Sequence, residues 1–511
     1  MDRVDFVVVG AGSAGCVVAA RLSEDGNVGV AVLEAGRRHI PPQVANDIAV
    51  PWRMALVQNT VVDWAYESVP QPHLLARRIR EPRGRLPGGT SNLYYMMHIR
   101  GHRSDYDNWA YNGCPGWSYD DVLPYFQKLE DQEDDTNPTA GKGGPLRVAS
   151  VARHEPNPTS QTFINACLEL GFPPCDDFNG PHMEGAGWHH VNIKDGKRHS
   201  IEDAYLYPAL ERKNLSLIDG AQATRLLFEG RRCTGVEYYR NGTLERISAT
   251  QEVVVCAGAI DSPKLLLLSG IGNGDRLAAL GIPVLVDLPG VGENFHNHVL
   301  IPVVCVAAKP IPAPRNNMSE AALFYKSEPG WPGPDMQMGF VHGDPNQVSN
   351  SQPPNVMVML PGVVRPLSRG WVRLASADPL AKPLINPNYL AVEADYRRLT
   401  DAVRLARKIY ATRAFAEWVQ TEVAPGAAFP DDRLGDYVRQ AADSYHHQAG
   451  SCRMGGDSMA VVDPHLRVRG IEGLRLADAS VMPAVPSGNC HAGIVMIAEK
   501  AADLIKAARR S

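Results

Sequence analysis

The chain has 511 residues, with 51 Lys and Arg against 56 Asp and Glu and a formal net charge of −5. That length exceeds one ordinary core and predicts two or more domains, while the acidic balance argues against a nucleic-acid partner. No window holds about 18 consecutive apolar residues, so no transmembrane helix is expected.

Val4 to Val9 is an apolar run that ends in glycine and predicts a buried strand. Ala14 to Ser23 is apolar at helical spacing, and Val28 to Leu33 predicts a second buried strand ending at Glu34, which completes a βαβ unit on a parallel sheet. Residues 41–85 are irregular, and arginines at 77, 78, 80, 83 and 85 lead into Gly88-Gly89-Thr90-Ser91. Most of those arginines fit a solvated charged loop. A helical pattern surrounds Gln161 to Leu170 in an otherwise loop-rich stretch. Strands are predicted at Leu215 to Ile218 and Arg225 to Leu227, followed by turns at Gly230 and Gly242. Glu252 to Cys256 predicts a buried strand that closes on Ala257-Gly258-Ala259, with a helix from Ser262 to Leu268. Alternating apolar positions within 301–380 predict an antiparallel sheet, and Ala394 to Thr412 an amphipathic helix. Near the C-terminus, Leu474 to Ala477 predicts a strand ending on Asp478, and a helix is expected from about Ala492, just after His491.

Gly10-Ala11-Gly12-Ser13-Ala14-Gly15 follows a strand and opens a helix, and Glu34 lies 19 residues past the last glycine. The first glycine permits a tight turn, the second a close backbone approach to a pyrophosphate, and the third close packing of helix on sheet. The carboxylate is placed for ribose hydroxyls. This pattern predicts a dinucleotide site without separating FAD from NAD. The absence of Lys-Ser/Thr after the glycines argues against a P-loop, the absence of GxSxG argues against a serine hydrolase, and Cys452, Cys490, His447 and His491 lack zinc-ligand spacing, so no metal is expected. Nine scattered cysteines fit a reducing compartment. With Met1 followed almost directly by a strand, no leader is expected, and the expected location is cytoplasmic.

Several segments resemble the glucose–methanol–choline (GMC) oxidoreductases: GAGSAG through LEAG (10–36), RGRLPGGTSNLYYMMHIRG (83–101), VVVCAGAIDSPKLLLLSGIG (253–272), LPGVGENFHNH (288–298), HHQAGSCRMG (446–455) and LRLADASVMPAVPSGNCHA (474–492). The resemblance spans nearly the whole chain. It implies an α/β protein: a Rossmann-type FAD-binding domain with a parallel sheet, assembled from 1–110, 190–300 and 440–511, and a substrate domain built on an antiparallel sheet with flanking helices, from 111–189 and 301–439. It implies FAD held by Gly10, Gly12, Ser13, Ala14, Gly15, Glu34, Ala35, Trp64, Arg85, Gly88, Gly89, Thr90, Ser91, Tyr94, Ala223, Ala257, Gly258, Asp478, Ala479 and His491. Some members bond the flavin to a histidine in the Gly-Gly loop. Leu93 cannot make that bond, so non-covalent FAD is expected, with an aryl ether to Tyr94 the remaining route to a link.

The resemblance also implies the chemistry: a base takes the hydroxyl proton of an alcohol and hydride passes to flavin N5. The base matches His447, and its partner on the same oxygen matches His491. A histidine is suited to the base role because it titrates near neutrality. His446 is the competing candidate; on a strand the two would face opposite ways, and spacing to Gly450 favours His447. A helix N-terminus near Ala492 would favour negative charge on the reduced flavin. Tyr94 and Tyr95 are expected to line a narrow substrate pocket. The expected substrate is a small-molecule primary alcohol, hydroxymethyl-aromatic or apolar, with oxygen or another acceptor. The alternatives are a non-redox lyase or decarboxylase on the same scaffold, or a choline-type or polyether alcohol dehydrogenase with another acceptor.

Overall fold

A computed structural model describes residues 3–134, 137–343 and 355–510. Part of the region expected to form the antiparallel sheet, 344–354, lies outside the described residues. Two sheets organise the molecule. The first runs in the order Leu215–Asp219, Val30–Glu34, Arg3–Val9, Thr243–Val255, Arg232–Arg240, Gln222–Glu229, with Leu474–Leu476 also paired to Thr243–Val255. Four of its pairings are parallel, and the hairpins at Gly230 and Gly242 add antiparallel strands. The second expected strand begins at Val30 rather than Val28, because Gly29 is used to close the turn onto Asp5.

The register places the ends of the parallel strands level. Val9 pairs with both Leu33 and Val255, and Val255 pairs with Leu476. Every functional segment of this sheet leaves from that carboxyl edge: Gly10, Glu34, Cys256-Ala257-Gly258 and Ala477-Asp478. Open α/β sheets bind ligands at this edge, where helix N-termini gather. Helix Ser13–Leu22 has only one intermediate face among its buried residues, and the C-terminal helix His491–Arg510 packs along it.

The second sheet is antiparallel, in the order Val419–Ala424, Val303–Ala307, Val356–Val363, Met336–His342, Ala321–Tyr325, Gly185–Trp188. Its period of two separates its faces. Met336, Met338, Phe340, Met357 and Met359 enter one apolar core with helices Pro158–Glu169 and Glu393–Tyr410. Gln337, Gly339, Leu360 and Gly362 take the other face. Val299–Leu300 also joins the second sheet and pairs in turn with Asp443–Ser444, the short strand just before the paired histidines.

Candidate active site

The turn Gly10–Gly15 is shaped by contacts only glycine allows. A Cβ on Gly15 would lie 1.8 Å from the Gly10 carbonyl oxygen. Gly88 N–H donates to the Ala11 carbonyl at 2.7 Å, and a Cβ on Gly89, whose φ is +54°, would sit 2.8 Å from Gly12 Cα. The two glycine loops are therefore in backbone contact. Gly12 and Gly258 instead have no protein atom within 4 Å of an added Cβ, so their backbones face open space. No side chain caps the helix at Ser13, which leaves its first N–H groups for an anion.

These backbones line a cleft. Of the residues expected at the cofactor, Gly10, Gly12, Ser13, Ala14, Glu34, Ala35, Trp64, Gly89, Thr90, Ala223, Ala257, Gly258, Asp478 and Ala479 line it. Arg85 stands behind Trp64, its guanidinium 4.8 Å from the indole centroid. Gly15, Gly88 and Ser91 support the loops from outside the cleft, and Ser91 Oγ donates to the Gly88 carbonyl. Glu34 accepts N–H bonds from Ala11 (2.9 Å) and Gly36 (2.8 Å), and burial pushes its carboxyl up to about 7. Asp478 is committed to the protein: it accepts from Gly258 N–H, Ser262 Oγ and Ser480 N–H at 2.6–2.8 Å. It thus fastens the strand end to the helix Gly258–Leu268. The open backbone at Gly12 and Gly258, the uncapped helix and the buried acceptor at Glu34 together fit a dinucleotide of the FAD type.

Gln448 and Ile494 also line this cleft, and the two histidine segments that carry them meet beside it. Asn489, two residues before His491, bonds His447 Nε2 at 3.1 Å. His447 Nδ1 meets His298 Nδ1 at 2.9 Å, and its backbone N–H donates to Asn297 Oδ1 at 2.7 Å. With the Asn489 amide assigned as donor, His447 carries its lone pair on Nε2 and its proton on Nδ1, directed at His298. Burial, then the neighbouring His298, His446 and Arg83, hold His447 well below the ordinary histidine range. Its neutral form can accept a proton. This is a correction to the near-neutral titration expected of it.

The relation of His446 to His447 also needs correction. The strand ends at Ser444, and His446 has φ +65°. The side chains part because of a left-handed turn, not strand alternation. His446 is turned towards Arg83, whose Nη2 donates to the His446 carbonyl at 2.8 Å.

His491 is itself the first residue of the C-terminal helix, one position earlier than expected. It is 8% exposed, burial pushes it down to about 3, and neither ring nitrogen has a partner among the described residues. Tyr94 packs on it with ring centroids 4.5 Å apart, and the Tyr94 hydroxyl donates to Asn192 Oδ1 at 2.8 Å. Tyr95 joins an apolar cluster with Ile99, Phe178 and Phe324, and its carbonyl accepts from Asn317 Nδ2. Sequence reasoning missed His298, Asn489, Gln337 and Tyr445. His298 and Asn489 carried a signal, sitting in the quoted LPGVGENFHNH and LRLADASVMPAVPSGNCHA segments; Gln337 and Tyr445 carried none.

Comparisons with known proteins show the family. A GMC oxidoreductase profile matches residues 4–300 and a second one residues 366–498. The chain is 41% identical to the mitochondrial choline dehydrogenase of Homo sapiens over 99% of this chain and 90% of that one. It is 38% identical to the oxygen-dependent choline dehydrogenase of Rhizobium etli over 98% and 95%. Pyridoxine 4-oxidase from Mesorbium loti superposes with a TM-score of 0.92 at 34% identity, covering 98% of both chains. A formate oxidase superposes at 0.91 with 26% identity, covering 100% of this chain and 99% of the other. No helix among the described residues is long and apolar enough to cross a membrane. The chain belongs to the GMC oxidoreductase family and is an FAD-dependent enzyme acting on CH–OH donors.

Proposed function

We propose that this enzyme oxidises the hydroxymethyl group of a primary alcohol to the aldehyde, with His447 as the base and His491 as the second group on the reacting oxygen. The observation that carries it is the His298–His447–Asn489 chain, which leaves a neutral, oriented Nε2 at the junction of the two segments. FAD, when bound, supplies the two-electron acceptor. The substrate hydroxyl would compete with the Asn489 amide for the Nε2 lone pair and deliver its proton there. His298 accepts from Nδ1 and fixes the tautomer. His491, neutral and with neither ring nitrogen hydrogen-bonded among the described residues, would donate one ring N–H to the same oxygen and oppose the build-up of negative charge. Tyr94, packed on His491, holds that ring in place. The pyridoxine 4-oxidase likeness supports a hydroxymethyl group on an aromatic ring as the reacting unit; the choline dehydrogenase likeness supports a quaternary ammonium alcohol as the second reading. Nine buried, unbridged cysteines support residence in a reducing compartment such as the cytoplasm.

The test is anaerobic mixing of the yellow holoenzyme with a panel of alcohols, followed by readmission of air. Bleaching identifies the substrate class, and the rate of return of colour in air reads oxygen as the acceptor. His447→Ala is expected to slow bleaching by about 10²–10⁴-fold, and His491→Ala by less. Bleaching of His447→Ala at the parent rate would remove His447 from the base role.

A further inference from the structure

Tyr445 stacks on His447, with ring centroids 4.9 Å apart and planes 19° from parallel. It lies against the second sheet where two glycines make room. A Cβ on Gly362 would come within 2.6 Å of Tyr445 Cε2. A Cβ on Gly339 would lie 3.4 Å from the Tyr445 hydroxyl and 3.8 Å from Ser319 Oγ. Those two oxygens therefore converge over Gly339. Gln337, two residues earlier on the same strand, takes the same face and gives its Nε2 to Asn489 Oδ1 at 3.4 Å.

The proton-transfer chain uses none of the remaining polar atoms. Ser319 Oγ and Gln337 Oε1 have no hydrogen-bond partner among the described residues, although the two side chains are 1% and 0% exposed. Burial raises the Tyr445 phenol above its ordinary range, so it remains an O–H donor. Buried polar groups are nearly always paired, and a site that leaves several open is matched to a ligand that pairs them. The buried carboxylates beside this face are already engaged. Glu320 accepts from Asn157 N–H, Ser160 and Asn316, and Asp335 from Arg398 and Ser327.

We infer that Tyr445, Ser319 and Gln337 form a recognition site for an uncharged aromatic ring that carries the reacting hydroxymethyl group together with hydrogen-bonding substituents of its own, a pyridinol or a phenol. The inference rests on the reading of His447 given above. The phenol donates to a ring nitrogen or hydroxyl oxygen, while Gln337 Oε1 and Ser319 Oγ accept from ring hydroxyls. A trimethylammonium group has neither donor nor acceptor, so it would seal these atoms away unpaired. Selection against quaternary ammonium alcohols follows, in spite of the identity to choline dehydrogenases.

The test uses the holoenzyme and three probes: pyridoxine, benzyl alcohol and choline. The second-order constant for anaerobic flavin reduction is expected to be at least about tenfold higher for pyridoxine than for either other probe. Tyr445→Phe and Ser319→Ala are each expected to lower the pyridoxine-to-benzyl-alcohol ratio by about tenfold or more. Binding is read separately with 4-deoxypyridoxine, which lacks the reacting hydroxyl, by its perturbation of the flavin band; Tyr445→Phe is expected to weaken it by about tenfold. Choline matching pyridoxine overturns the inference, as does an unchanged ratio in both variants. Reduction by benzyl alcohol or choline but not pyridoxine sinks this inference alone, whereas reduction by no alcohol of any class sinks the reading of His447 beneath it.

Discussion

At the scale of single residues, the site depends on how firmly one imidazole is held. His447 is fixed at its backbone by Asn297, on its face by Tyr445 and at Nδ1 by His298. Asn297 is itself buried, its amide bonded to Ser444 Oγ and Tyr389. Glu81 gathers the same group from below, taking bonds from Tyr389, Ser444 and Gln448. His298 is neutral, since burial pushes it down to about 3, so its Nδ1 can accept. Removing that acceptor strands a buried N–H, which costs about 1–3 kcal/mol. His298→Ala is therefore expected to slow anaerobic flavin reduction by about 10–100-fold, at about 1.4 kcal/mol per decade. His298→Asn, which can still accept, should recover part of the loss. Stopped-flow traces of the three proteins decide it, and a parent-like rate in His298→Ala would show that Nδ1 needs no partner.

At the scale of elements, glycines at two loops separate two causes of FAD loss. Gly89→Ala drives a Cβ towards Gly12 Cα and places alanine at φ +54°, so the loops must part. Gly12→Ala meets no protein atom, and its methyl enters only the space left for the ligand. Both variants are expected to lose FAD affinity by at least about tenfold. Only Gly89→Ala should also lower the melting temperature of the FAD-free protein. Equal melting temperatures for the two apo-variants would mean that the loop contact carries no stability. The elements themselves were largely legible, because strand ends, glycine turns and the helical period of 393–410 are local signals. The pair of strands leading to the histidines was not. Asp443–Ser444 is too short to show a period, and the left-handed turn at His446 sits at a residue whose type does not announce it. Tyr445 and Gln337 were out of reach for a different reason. Each gains its role from segments distant in the chain: Tyr445 lies over glycines 339 and 362 of the second sheet, and Gln337 reaches Asn489.

At the scale of the whole molecule, closing the site between two sheets buries an unusual set of neutral histidines, and this sets how the fold responds to acid. Burial pushes His298, His446 and His491 down to about 3 and His189 to about 4, and holds His296 and His447 well below their ordinary range. An unfolded histidine titrates near 6.5. Below about 6.5 and above its own lowered value, each of these residues binds a proton in the unfolded chain and not in the folded one. Stability is therefore lost as pH falls through 6.5, at about 1.4 kcal/mol per pH unit for each group. His190 behaves oppositely: despite its burial, Asp134 and Asp177 raise it to about 9. Its contribution is complete below 6.5 and fades only towards 9, so it does not offset the acid loss. His446 offers the clean measurement, since asparagine tolerates its left-handed backbone at least as well and the Arg83 bond goes to the main chain. Urea unfolding of the holoenzyme at fixed FAD concentration should show His446→Asn losing about 2 kcal/mol less than the parent between pH 7.5 and pH 5. Identical losses in the two proteins would mean that His446 takes up its proton in the folded state.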